Sequence, residues 1–123
     1  MPDEERTRQI LASVVAGRQD WTALRDGGVM VDFEGGACRT EIPADLSEFD
    51  PSAQEVASGF MAASERGDLY EWANVLLCGP FGFGKFADTL DGERLKELLW
   101  DASFGATTAV EDVAFVANLA TPE

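Results

Sequence analysis

Four times along this sequence a segment with apolar residues at helical spacing runs out on a glycine, at Gly17, Gly67, Gly79 and Gly105. Glycine closes helices because it takes a left-handed backbone conformation without steric cost and so lets the last carbonyls be satisfied. A chain punctuated in this way is expected to fold as short amphipathic helices packed on one another. The first segment, residues 3–17, carries Ile10, Leu11, Val14 and Val15 on one stripe. Asp20 is placed to cap a short turn holding Trp21 and Leu24. Asp50-Pro51 is read as the start of the next long helix, aspartate accepting from free amides and proline fitting the first helical position. Its stripe is Val56, Ala57, Phe60 and Met61. Asp68, with Glu71 three residues on, starts a helix bearing Leu69, Trp72, Val75 and Leu76, which Gly79-Pro80 stops. Asp91 opens another with Leu95, Leu98, Leu99 and Ala102, and Thr108 with Glu111 frames the last, whose stripe is Val110, Val113, Ala114 and Ala117.

One stretch departs from the helical period. Val29–Glu34 and Ala37–Ile42 flank Gly35-Gly36, and a two-residue glycine turn supplies the positive φ values of a tight hairpin. Pairing Glu34 with Ala37 sets Phe33 opposite Cys38, Val31 opposite Thr40 and Val29 opposite Ile42, a mostly apolar face. The other face pairs Asp32 with Arg39 and Met30 with Glu41, and Pro43 ends the second strand. The expected class is α+β, mainly helical with about five helices and one β-hairpin at residues 29–42, in a single domain spanning 1–123.

Charge narrows the function. Nine Lys and Arg stand against 23 Asp and Glu, giving a net charge of −14, and histidine is absent. Ser-His and Cys-His catalytic pairs, His-ligated zinc or haem and a histidine pH switch are thereby excluded. Nonspecific binding to DNA or RNA is disfavoured, since phosphates would be repelled. No apolar run approaches the ~20 residues of a membrane span. Met1-Pro2-Asp3-Glu4-Glu5 is acidic where a secretory signal would be basic and then apolar, so a cytoplasmic location is expected. The two cysteines, Cys38 and Cys78, lie far apart on apolar faces, and core packing in a reduced chain is the expected role of both.

Catalytic motifs are incomplete. Gly79–Phe86 matches G-x-x-x-x-G-K, but Phe86 stands where a phosphate-binding loop needs Ser or Thr for magnesium, and the segment before it reads as helix rather than strand. Asp88–Glu93 lacks the alternating oxygen ligands of a calcium loop. No cofactor or metal is expected. The acids are concentrated instead: eight lie between Glu41 and Glu71 against the single base Arg66, and five between Glu97 and the end with no base. Such a field accelerates encounter with a basic partner, although the acidity of a whole salt-adapted proteome would give the same count. Trp21, Phe60, Trp72, Trp100 and Phe104 lie near helical core spacing and are assigned to packing. Phe81, Phe83 and Phe86 sit in a glycine-punctuated connection, where they either plug the core or form an apolar centre rimmed by acids.

The segments from Glu71-Trp72-Ala73 to Leu98-Leu99-Trp100-Asp101-Ala102-Ser103-Phe104-Gly105 resemble those of small acidic bacterial proteins, some of them toxin-immunity-like. The resemblance covers residues 71–105 and implies a small intracellular protein that acts by binding, with no functional residue carried over. Together these features lead to the expectation of a non-catalytic acidic module that binds a basic protein, as an immunity or inhibitor protein does a nuclease. Glu41, Asp45, Glu48, Asp50 and Glu55 are the expected charged contacts, with Phe81 and Phe83 as apolar anchors. The alternatives are a small Asp/Glu-dependent hydrolase or transferase with Lys85 as an anion contact, and an accessory structural subunit, for instance a homodimer.

Overall fold

The computed structural model describes residues 4–32, 39–41, 51–78 and 88–121. Among the described residues, six helices and two short strands follow in the order α1 (Glu4–Val15), α2 (Thr22–Asp26), β1 (Met30–Asp32), β2 (Arg39–Glu41), α3 (Ala53–Arg66), α4 (Leu69–Cys78), α5 (Leu90–Ser103) and α6 (Val110–Ala120). The mainly helical character is as expected. The two strands pair antiparallel, with Met30 opposite Glu41, Val31 opposite Thr40 and Asp32 opposite Arg39. This is a ladder of three pairs. Of the hairpin expected over 29–42, only this ladder is described; the connection with Gly35-Gly36 and the remaining expected pairs lie outside the described residues.

α3 is the hub, packed against α1, α4, α5 and α6. Val56, Ala57, Phe60 and Ala63 on its inner face are fully buried with Leu11 and Val14 of α1, Trp72 and Val75 of α4, Leu95 of α5 and Val116 of α6. The seam between α1 and α3 is very close. A Cβ at Gly59 would lie 1.9 Å from the Val15 carbonyl oxygen and 2.6 Å from the Trp72 ring, so only glycine lets the two backbones meet there. Trp72 completes the junction, its indole N–H donating to the Val14 carbonyl at 2.9 Å while its ring meets Phe60 edge-on at 6.1 Å between centroids.

Three helix starts are displaced from their expected positions. α3 begins after Ser52, which accepts from the Glu55 amide at 3.2 Å while the Glu55 carboxylate accepts from the Ser52 amide at 3.2 Å, a reciprocal capping box. Pro51 precedes the cap and is buried rather than helical. α5 is capped by Thr89, whose side chain accepts from the Gly92 amide at 2.9 Å, and Asp91 falls in the first turn instead. α6 has Ala109 at its cap position with no side-chain hydrogen bond, in place of the box expected from Thr108 and Glu111. Asp68 precedes α4 and its backbone carbonyl accepts from the Trp72 amide, but its carboxylate is engaged by Arg66 at 3.2 Å.

α6 is also rotated from its expected phase. Val116 is buried and Phe115, Leu119 and Ala120 pack on the core, whereas Val110 is 85% exposed and Val113 and Ala114 face solvent. Eight of its eleven residues are apolar, so two stripes compete. Turning in the stripe with Phe115 and Leu119 removes more apolar area from water than turning in Val110 and Val113. The core roles expected for the side chains of Cys38 and Cys78 lie outside the described residues.

Candidate protein-docking face

Of the acids expected to contact a partner, Glu55 alone has a described side chain. It is exposed and engaged in the α3 capping box. Glu41 lies on β2, with its side chain outside the description. Asp45, Glu48, Asp50, Phe81, Phe83 and Lys85 lie outside the described residues, as does the glycine-rich stretch of residues 79–86. Among the described residues no three Cys, Asp or Glu side chains converge to hold a metal, and no helix is long and apolar enough to cross a membrane.

The described chemistry gathers on α5. Its inward residues Leu95, Leu98, Leu99 and Ala102 are buried against α4 and α3. Asp91 and Glu93 in its first turn favour the positive end of the helix dipole. At its far end the Asn74 amide donates to the Tyr70 and Ser103 carbonyls at 2.8 and 3.1 Å, tying α5 to α4, and Gly105 turns the chain with φ of 84°. With this inner face fixed, at ~100° per residue, Leu90, Glu93, Glu97, Trp100, Asp101 and Phe104 all fall within an outward arc of roughly 100°. All six are exposed. Leu90 is 86% accessible, Phe104 80% and Trp100 44%, and the Trp100 and Phe104 rings stack at 6.4 Å between centroids.

The core-packing assignment of Trp100 and Phe104 is therefore corrected. The signal was present in the spacing, because Leu95, Leu98, Leu99 and Ala102 already fill the inner arc and leave residues 100 and 104 on the opposite side. Trp21 is half-buried with the Arg25 guanidinium 4.7 Å from its ring centroid, and Phe60 and Trp72 are core residues as expected. The base nearest the α5 arc turns away from it: Arg94 pairs with Asp112 at 2.9 Å and lies 4.1 Å from the Phe115 ring centroid. Three large apolar side chains and three carboxylates thus share one arc, with Arg94 and Lys96 bordering it on either side.

Two of the hollows among the described residues flank the helices. One, with a cavity volume of about 380 Å³, is lined by Tyr70, Ala102, Gly105 and Val113 among others and lies just past the end of the α5 arc. The other, about 440 Å³ between α1 and α2, is lined mainly by polar groups, including Gln9, Ser13, Gln19 and Asp26, with Arg6 as its one cation. Comparison with family models, curated proteins and solved structures finds no match for this chain.

Proposed function

We propose that this protein is a non-catalytic acidic module that binds a basic partner protein in the cytoplasm. Its most concrete form is an immunity or inhibitor protein acting on a basic enzyme such as a nuclease; the resemblance over residues 71–105 implies only a small intracellular protein that acts by binding. Carboxylates standing where nucleic-acid phosphates would lie compete for the enzyme's Lys and Arg groove. The observation that carries this reading is the α5 face, where exposed Trp100 and Phe104 are interleaved with Glu93, Glu97 and Asp101. An apolar patch bordered by charge is the usual anatomy of a recognition surface. Glu41, Asp45, Glu48, Asp50 and Glu55, with Phe81 and Phe83, belong to the same proposal, as does the full hairpin over residues 29–42 that would present Glu41.

The test is affinity capture from the native host, with the captured protein identified and its enzymatic activity assayed with and without this chain. The expected result is a basic protein held at low salt, released at high salt and inhibited when bound. Retention of acidic proteins alone, capture indifferent to salt, or no capture would overturn the proposal.

A further inference from the structure

Resting on that reading, we propose that the outward face of α5 is the docking surface itself, and that its occupant is a cationic amphipathic helix of the partner. The surface is long enough for one. Leu90 to Phe104 advances 14 residues, or ~21 Å at ~1.5 Å per residue, which matches a partner helix of about four turns. Leu90 supplies an apolar contact at one end, and the stacked Trp100–Phe104 pair supplies a broad one at the other. Between and beside them Glu93, Glu97 and Asp101 recur every fourth residue. Lys or Arg at the same spacing on a facing helix would meet each carboxylate in turn while its apolar stripe covers the rings.

Charge decides between occupants. A second copy of this chain would bring three more carboxylates against these three, between molecules each carrying −14. A nucleic acid would be repelled for the same reason. Of the two bases that border the arc, Arg94 is held by Asp112 and Phe115, which leaves Lys96 as one positive charge beside three carboxylates. A cationic helix answers both the apolar and the acidic half of the surface.

The probe is a fluorescently labelled synthetic peptide of 14 Leu and Lys residues, with Leu at helical spacing. Its controls are the same pattern with Glu for Lys and the same Leu/Lys composition in scrambled order. Anisotropy titrations give the Kd for the wild-type chain and for three variants. One is Trp100→Ser with Phe104→Ser. A second is Glu93→Gln, Glu97→Gln and Asp101→Asn. The third, Asp26→Asn, Glu65→Gln and Asp88→Asn, removes equal charge from exposed positions off the arc. Both aromatic side chains lie outside the core, so thermal melting checks that each variant remains folded. The proposal expects the patterned Leu/Lys peptide to bind best and the aromatic variant to bind it about tenfold or more weakly. Charge removal on the arc should weaken binding more than removal elsewhere, with the difference closing at high salt. Undiminished binding by the aromatic variant, or equal loss in the two charge variants, overturns this docking face while leaving an acidic binding module standing. No binding of either Leu/Lys peptide to the wild-type chain removes both.

Discussion

Asp20 shows how local chemistry reaches stability. Its carboxylate accepts from the Thr22 hydroxyl and from the Thr22 amide, the latter at 2.9 Å, and so fixes the turn into α2. The hydroxyl hydrogen bond is the main cause that holds its pKa below the ordinary aspartate value; the backbone amide and Arg66 add to it, and burial opposes it. Because the folded pKa lies below the unfolded one, the ionised group stabilises the fold above the normal aspartate range of ~3.9, and that contribution is lost as pH falls through the lowered value. Asp20→Asn is therefore expected to be less stable than wild type at neutral pH, with the gap in urea unfolding narrowing in acid. A gap of constant size would refute this assignment. Gly59 sets a second, steric prediction. Gly59→Ala forces a methyl against the Val15 carbonyl and is expected to cost about 1–3 kcal/mol or more. Gly105→Ala meets no atom within 4 Å but keeps a φ of 84°, so it should cost only about 1–2 kcal/mol. Urea midpoints of the two variants test the order.

At the scale of the helices, capping and charge meet at Glu55. The capping box accepts glutamine as well as glutamate at this position. Glu55→Gln should leave the melting temperature nearly unchanged while removing the charge, whereas Ser52→Ala should cost about 1 kcal/mol. A lysine at position 55 would confound partner binding with the loss of a cap, so Glu55→Gln is the informative change for association. The helices were legible in the sequence because their inner stripes are strict: Leu11, Val14 and Val15, then Val56 and Phe60, then Leu95, Leu98 and Leu99, are all buried as their spacing requires. Their starts were less legible. Asp50 and Ser52, or Thr89 and Asp91, offer competing caps within one turn, and local propensity does not rank them. The α6 phase was hidden by having apolar residues on both sides, a choice that only the volume of Phe115 and Leu119 against the core decides. The exposure of Trp100 and Phe104 was readable from the α5 period, but the general tendency of aromatics to pack inside masked it.

For the whole molecule, the excess of carboxylate is heaviest between Glu41 and Glu71 and from Glu97 onward, while among the described residues the two most exposed aromatic rings, Phe104 and Trp100, stand together at the end of α5. Among the described residues nearly all acids are at least partly exposed, and Arg66–Asp68 and Arg94–Asp112 are pairs that hold two of them. Negative charge alone would attract any cation, and the apolar stripe is what gives that attraction a place. α5 is well suited to this because its inner face is anchored in the core through α4 and α3, so its outer face is presented on a rigid element rather than a loop. The most direct test of this account is to map backbone amide chemical shifts in the uniformly labelled chain as the patterned Leu/Lys peptide is added. The largest changes should fall on residues 90–104, fading as salt rises. Changes concentrated in residues 41–55, or distributed evenly over every acidic segment, would contradict a docking face on α5.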